Sequence, residues 1–128
     1  MKRSPRERLT KNFTRAELRC RCRRETCDAL AMDSAFMERL QQVREEWGKP
    51  LIVTSGARCA YWNKKVGGSP RSQHVFSRAV DLYFEHPNDV VAFSALAEKH
   101  GFGGIGVGVH LVHLDTREGK ARWTYDDK

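Results

Sequence analysis

The chain has 128 residues, of which 40% are hydrophobic and 30% charged, and its net charge is +7. This length and balance are typical of one globular domain with a real core, and they exclude an intrinsically disordered chain. No apolar run approaches the roughly 20 residues of a membrane-spanning helix, so the sequence also argues against a membrane-spanning protein.

The positive charge is concentrated at the N-terminus, where ten of the 23 Lys and Arg residues lie in the first 24 positions. Such a charge favours a polyanionic partner, which could be nucleic acid, a membrane surface or an anionic cell wall. We predict a basic flexible arm over residues 1–11 and a single domain over residues 12–128. No hydrophobic segment follows the basic arm, so we expect synthesis in the cytoplasm without a signal peptide.

The first predicted helix is short and begins with a capping signal. Thr14 and Glu17 have the spacing of a capping box, and Phe13 and Leu18 are placed to form a hydrophobic staple. The cysteine-containing segment that follows shows no apolar period, so the helix should end before it.

A longer helix should begin at Asp33 or Ser34 and end at Gly48. Its inward face is predicted from apolar residues at three- and four-residue spacing: Phe36, Met37, Leu40, Val43 and Trp47. Residues 51–54 then predict a short buried strand, and residues 55–70 predict a loop with room for one helical turn.

The second half of the chain predicts three more stretches of strand and one helix. A strand surrounds Asp81, and a helix opens at residues 87–89 and ends at Gly101, with an inward face of Val91, Leu96 and Ala97. Strands follow over residues 110–115 and 121–125. These elements indicate an α+β domain with a small, largely antiparallel sheet and flanking helices.

The glycine-rich stretch 103–109 has alternating apolar residues between its glycines. It lacks the GxGxxG order and the following helix that a dinucleotide site needs. This pattern excludes a Rossmann-type cofactor site here.

Three metal-ligand candidates are separated in sequence but predicted to lie on or beside strands. His74 and Asp81 are seven residues apart, and His113 lies on another predicted strand. Catalytic zinc sites commonly use three such nitrogen and oxygen ligands and leave a fourth position open. Side chains alternate along a strand, so Asp115 shares the face of His113 and could orient a ligand histidine.

The chain has four cysteines. Cys20, Cys22 and Cys27 are close to one another in sequence, and Cys59 is distant from them. They could bind a structural zinc ion, form disulfides in an oxidising compartment, or remain free small hydrophobic residues. We hypothesise that Cys59 is the partner of one of the three N-terminal cysteines.

The paired motifs closely resemble one family. The resemblance is carried by Ser72, His74, Ser77, Ala79 and Asp81 at fixed spacing, by residues 112–115, and by Ser55, Gly56, Arg58, Cys59, Asn63 and residues 66–68. They resemble the zinc D-Ala-D-Ala carboxypeptidase and L-Ala-D-Glu endopeptidase family, whose members cleave peptidoglycan. The resemblance runs from about Phe13 to Trp123, and its compact members include phage endolysins.

The resemblance implies the fold of these peptidases, which is shared with the hedgehog signalling domain. It implies that His74, Asp81 and His113 bind one catalytic Zn²⁺. It also implies that Arg58 and Ser72 contact the carboxylate or carbonyl of the substrate.

The sequence departs from the family pattern at two positions. The family usually has glycine where this chain has Ser77. Better-known members carry Glu or Asp as general base three residues before the last zinc histidine, where this chain has His110. Histidine can act as a base because its pKa lies near neutrality. We therefore assign proton transfer to His110, with Asp115 as the alternative.

From these observations we expect a monomeric zinc peptidase that cuts the peptide stem of peptidoglycan on an anionic cell wall, after phage-type release or as part of a virion. One alternative is a catalytically inactive zinc-containing module that binds the wall or a protein. A nucleic-acid-binding protein that uses the basic arm and the cysteines is less favoured, because it leaves the His/Asp/His pattern unexplained.

Overall fold

The computed structural model describes residues 6–24, 27 and 31–126. Its elements in chain order are β1 (Arg8–Thr10), β2 (Phe13–Thr14), α1 (Arg15–Leu18), α2 (Ser34–Trp47), β3 (Ile52–Ser55), α3 (Ala60–Lys65), β4 (Ala79–Tyr83), α4 (Pro87–Lys99), β5 (Gly104–Val107), β6 (Leu111–Asp115) and β7 (Ala121–Thr124).

The main sheet has five strands in the order β3-β4-β6-β5-β7, and β1 and β2 form a separate antiparallel pair. All neighbours in the main sheet are antiparallel except β5 and β7, which are parallel. The short connection 116–120 reverses the chain, so β7 runs opposite to β6 and in the same direction as β5. The predicted α+β fold with a largely antiparallel sheet is confirmed.

The two faces of the central strands β4 and β6 have different environments. Val80 and Leu82 on β4, together with Val112 and Leu114 on β6, are fully buried in the core with α2 and α4. Asp81 and His113 alternate with them and therefore face the other way. One face of the sheet makes the core, and the other carries the polar residues.

The helix boundaries follow local capping signals. The Asp33 carboxylate accepts a hydrogen bond from the Phe36 amide at 2.9 Å, and Gly48 ends α2 with a φ of +73°. Glu17 accepts a hydrogen bond from the Thr14 amide at 2.9 Å, which gives α1 the predicted capping box. Both helix starts are confirmed, and Asp33 is the cap of α2.

Two residues predicted to face the core are exposed instead, whereas Leu51 and Ala97 are buried as predicted. Ile52 is 58% exposed, because β3 is an edge strand and only part of its surface meets the core. Val91 is 71% exposed, whereas Val90, Phe93 and Ala97 form the buried face of α4. The buried residues of α4 recur three and four positions apart, starting from Val90. Val91 therefore lies beside the buried face of the helix and not on it.

The N-terminal segment is more ordered than a flexible arm. Residues 8–10, predicted to lie in that arm, form β1, and residues 1–5 lie outside the described part of the chain. The Gln41 side-chain oxygen on α2 accepts hydrogen bonds from the Thr10 hydroxyl at 2.7 Å and the Asn12 amide at 2.9 Å. These bonds fasten the segment to the domain.

No helix among residues 6–24, 27 and 31–126 is both long and apolar enough to cross a membrane.

The loop after β3 lies directly against α1. The Ala57 amide donates to the Leu18 carbonyl at 2.8 Å, and a Cβ atom at Gly56 would lie only 2.4 Å from the same oxygen. Only glycine allows the two backbones to approach this closely. The approach matters because Gly56 and Arg58 both belong to the loop that borders the polar face of the sheet.

We expect Gly56→Ala to lower the free energy of unfolding by about 1–3 kcal/mol, because the added methyl group must displace backbone rather than a flexible side chain. Urea unfolding at fixed zinc concentration measures this change. Gly119→Ala is the control, since its φ of +80° adds strain but its Cβ would meet nothing within 4 Å. Equal stability of the two variants would contradict the importance of the contact.

Candidate metal centre

The register of β4 and β6 brings two candidate ligands together. Asp81 on β4 is the direct cross-strand partner of His113 on β6. The His113 Nδ1 atom lies 2.9 Å from Asp81 Oδ1. Residues 32 positions apart in the sequence therefore meet because the strands pair at this register.

His74 reaches the same carboxylate oxygen from the turn that precedes β4. Its ring is 2% exposed, and its Nε2 atom lies 3.1 Å from Asp81 Oδ1. The other ring nitrogen, Nδ1, donates to the Gly56 carbonyl at 2.7 Å. Because Nδ1 carries the proton of this bond, Nε2, on the side of Asp81, is the ring nitrogen that can offer a lone pair to a metal.

His113 is fixed in the complementary way. Its Nε2 atom donates to Asp115 Oδ2 at 2.7 Å, so Nδ1, which lies 2.9 Å from Asp81 Oδ1, is the ring nitrogen that can offer a lone pair to a metal. The rings of His74 and His113 meet edge to face, with centroids 5.1 Å apart. Two imidazole nitrogens and one carboxylate oxygen therefore converge on one point.

The donor set fits zinc. One ligand atom from each of His74, Asp81 and His113 lies within 4.8 Å of the other two. Two neutral imidazoles and one carboxylate are a common three-ligand set for catalytic zinc. Each histidine also donates its second ring N–H to an oxygen, which is the usual way in which proteins orient a metal ligand.

The acid–base properties of these groups follow from their contacts. Burial alone would raise the pKa of Asp81, but its hydrogen bonds with His113 and His74 hold it well below its usual range. Burial would lower the pKa of His113, but Asp115 and Asp81 raise it above the ordinary value. Asp81 is therefore ionised, as a metal ligand must be.

Asp115 binds the ring nitrogen of His113 that faces away from Asp81. It is fully buried, and both of its oxygens are engaged: Oδ2 with His113 Nε2 and with Arg117 Nη2, and Oδ1 with the backbone amide and Nε of Arg117 at 3.1 and 2.9 Å. Burial would raise the pKa of Asp115, but His113 and Arg117 hold it well below its usual range. These contacts are those of a carboxylate that orients His113.

The three ligands lie in an open cavity of about 290 Å³. The predicted substrate-binding residues Arg58 and Ser72 both line this cavity. The Arg58 guanidinium is held by Ser55 at 3.1 Å, Asn63 at 3.3 Å and Asp81 Oδ2 at 3.3 Å. It is thus positioned beside the convergent ligands, and 14% of its side-chain surface remains exposed.

His110 lies in the connection before β6 and is not among the residues that line this cavity. Its Nδ1 atom donates to the Phe84 carbonyl at 2.9 Å, and its ring centroid is 5.9 Å from that of Tyr83. The structure brings it to the end of the polar face rather than next to His113. Its role as general base stays a prediction.

Three residues in the cavity wall were not anticipated as site residues: Arg117, Trp123 and Tyr125. The Trp123 ring lies 5.1 Å from the His113 ring, and the Arg117 guanidinium lies 5.0 Å over the Trp123 ring. Burial raises the pKa of the Tyr125 phenol, so this group is a hydrogen-bond donor. The alternation of Trp123 and Tyr125 at the end of the chain was the available signal, because it predicts one shared strand face.

The family position of Ser77 has a backbone explanation. Ser77 has a φ of +59°, in the left-handed region that favours glycine. Serine therefore occupies a conformation that the usual glycine would adopt without strain.

The four cysteines also come together. Their sulfur atoms all lie within 4.8 Å of one another, and Cys59 Sγ is 3.8 Å from Cys20 Sγ. The structure thus places Cys59 beside one of the N-terminal cysteines.

Comparison with known proteins agrees with this architecture. An α+β domain whose sheet carries a His/Asp/His centre has the fold and site of a zinc metallopeptidase. The sequence model of the peptidase M15 family matches residues 11–115, and the chain belongs to this family. The resemblance inferred from the motifs is confirmed.

One relative is the zinc D-Ala-D-Ala carboxypeptidase of Streptomyces albus G. The two sequences are 32% identical over 123 residues, an alignment that covers 88% of this chain and 48% of the relative. The chain therefore spans about half the length of that protein.

We expect Asp115→Asn to weaken zinc binding about 10- to 100-fold, because an amide orients His113 less well than a carboxylate does. Competition with a chromophoric chelator measures the affinity. Asp126→Asn, an exposed substitution of the same type, is the control and should leave affinity unchanged. If both variants bind zinc like the unmodified chain, Asp115 does not orient the ligand.

Proposed function

We propose that this chain is a zinc-dependent peptidase that hydrolyses an amide bond in the peptide stem of bacterial peptidoglycan. The observation that carries the proposal is the convergence of the His74, Asp81 and His113 donor atoms in an open cavity beside Arg58. The activity named for the Streptomyces relative supports a D-Ala-D-Ala type of substrate.

His74, Asp81 and His113 would hold the metal. Zinc bound there would supply Lewis acidity, which activates water and polarises a carbonyl group. The protein contributes the fixed orientation of both imidazoles, through the Gly56 carbonyl and the Asp115 carboxylate. Orientation of this kind costs no rearrangement during the reaction.

Arg58 is the proposed anchor for the substrate. A guanidinium group binds carboxylates with a fixed, forked geometry, and the three contacts of Arg58 with protein oxygens hold that fork in place. Ser72, also in the cavity wall, is placed to contact the same substrate group through its hydroxyl. A stem peptide that ends in a free carboxylate suits this pair.

The charge of the site also suits an anionic peptide end. Two guanidinium groups, of Arg58 and Arg117, balance the two carboxylates of Asp81 and Asp115. A divalent metal would therefore leave the cavity with net positive charge. A volume of about 290 Å³ is at the small end for ligand pockets and suits one or two small residues such as alanine.

Proton transfer is assigned to His110. Of the two predicted candidates, Asp115 has both oxygens engaged with His113 and Arg117, whereas His110 lies at the end of the polar face with one ring nitrogen bound to the Phe84 carbonyl. Catalytic hydrogen bonds often tighten only when substrate is bound, so His110 would approach the reacting group in the complex.

The proposal also covers where the chain acts and how it is released. A net charge of +7 favours residence on an anionic cell wall, and the contact should weaken as salt rises. We propose that the chain acts there as a monomer after phage-type release or as a virion component, in keeping with the resemblance to endolysin peptidases.

A second candidate is a zinc-containing module that binds the wall without cutting it. The observation that favours it is His110 at the position where the better-known family members carry Glu or Asp. The two candidates share the metal and the cavity, and they differ in whether a bond is broken.

Mass spectrometry of purified peptidoglycan fragments, incubated with the protein with and without a zinc chelator, tests the proposal. We expect a new amine and a new carboxyl terminus that are absent in the chelated sample, and their masses identify the bond. Intact fragments with zinc shown to be bound would contradict the peptidase and support the binding module.

The same assay can test the substrate anchor. If the cut residue carries a free carboxylate, the unmodified protein should prefer that fragment over one whose C-terminus is amidated. Arg58→Gln should lose this preference together with most of its activity. A preference that survives the substitution would show that Arg58 does not bind the carboxylate.

We expect His110→Gln to lower kcat about 10²- to 10⁴-fold, the usual contribution of a general base, and to remove the corresponding limb of the pH–rate profile. Zinc content measured on the same sample should not change, since His110 is not one of the three ligands. His86→Gln is the control for loss of an exposed histidine. An unchanged kcat would show that the base is another group.

A further inference from the structure

We propose that Cys20, Cys22, Cys27 and Cys59 bind a second zinc ion, through four thiolates, at a site separate from the candidate catalytic centre. The four sulfur atoms come from two distant parts of the chain, yet they all lie within 4.8 Å of one another. The site is independent of the proposed function, because it shares no ligand with the His/Asp/His centre.

The sulfur geometry fits a tetrahedral ion. Zn–S bonds of about 2.3 Å in a tetrahedron place neighbouring sulfur atoms about 3.8 Å apart. The Cys20 and Cys59 sulfur atoms are 3.8 Å apart. Cys22 and Cys27 are closer, at 2.8 Å, but this is still longer than the roughly 2.05 Å of a disulfide bond. All four are free cysteines in the structure.

The backbone around the cluster is arranged as it is around bound thiolates. The Cys20 sulfur accepts a hydrogen bond from the Cys59 amide, the Cys59 sulfur from the Trp62 amide and the Cys22 sulfur from the Arg24 amide, each at 3.3 Å. Donors of this kind stabilise negative charge on sulfur and orient metal ligands. Three of the four sulfur atoms therefore have such a donor.

The surroundings are strongly basic. Arg19, Arg21 and Arg23 line the surface cavity that also contains Cys20 and Cys22. Four thiolates and one Zn²⁺ carry a net charge of about −2, which nearby guanidinium groups would offset. The arginine residues of this segment would therefore compensate the negative charge of the proposed metal site.

The proposed ion would join the N-terminal segment to the loop that positions the substrate anchor. Cys59 directly follows Arg58, and the backbone of the same loop is already bonded to α1 through Ala57 and Leu18 at 2.8 Å. A metal crosslink at this point would add to the stability of a small domain and hold the Arg58 loop in place.

Zinc content of the purified protein is the first test. We expect two zinc ions per chain by plasma mass spectrometry, and one in the His74→Ala/His113→Ala variant. Cobalt substitution of that variant should give the intense thiolate-to-metal charge-transfer absorption of a sulfur site. His86→Ala/His100→Ala, which removes two histidines outside both sites, is the control and should keep two ions. A single zinc that is lost with His74 and His113 would overturn the proposal.

A second measurement uses the unmodified chain and does not depend on how a variant folds. We expect all four cysteines to resist alkylation in the zinc-loaded protein and to become reactive together when a chelator removes the metal. Cysteines that react equally fast in both states would overturn the proposal. So would an intact mass that shows a Cys22–Cys27 disulfide in the protein as purified from a reducing cytoplasm.

Discussion

The Asp81 carboxylate, which is largely shielded from water, is the constraint on which the rest of the site depends. A carboxylate taken out of water is tolerated only when it is paired and hydrogen-bonded, and Asp81 meets this demand with two imidazoles and the Arg58 guanidinium. One of these partners comes from the facing strand β6, one from the turn before β4, and one from the loop after β3. Satisfying a single charge therefore brings together the three segments that form the candidate active site.

Strands β4 and β6 carry core residues on one face and candidate metal ligands on the other. The residues of β4 and β6 that alternate with the ligands are fully buried against α2 and α4, so the rigidity of the core is transmitted to the ligands over one residue. The loop that carries Gly56 and Arg58 contributes no residue to the main hydrophobic core cluster. It is held instead by backbone contact with Leu18 and, in the proposal above, by metal at Cys59.

Features that depend on nearby sequence were predictable, and features that depend on distant packing were not. The cap of α2 was predictable because Asp33 and its partner, the Phe36 amide, are only three residues apart. The pairing of His74 with Asp81 was predictable because the two residues belong to one short motif. On α4 the prediction of Ala97 as an inward residue was right but that of Val91 was wrong, since the core that selects Val90 over Val91 comes from other elements. Trp123 and Tyr125 escaped notice as site residues because their place in the cavity wall depends on where β7 joins the sheet. Arg117 was also missed, although its contact with Asp115 is only two residues away in sequence.

The absence of a side chain at Gly106 has a consequence for what the cavity can accept. A Cβ atom there would lie 2.4 Å from Trp123 Nε1, so the indole can lie against the sheet only because this position is bare. A larger residue here would have to displace the indole from the cavity wall that it lines, whereas the candidate metal ligands and Arg58 lie on other segments of the chain. The shape of this wall and the position of the candidate ligands therefore depend on different residues.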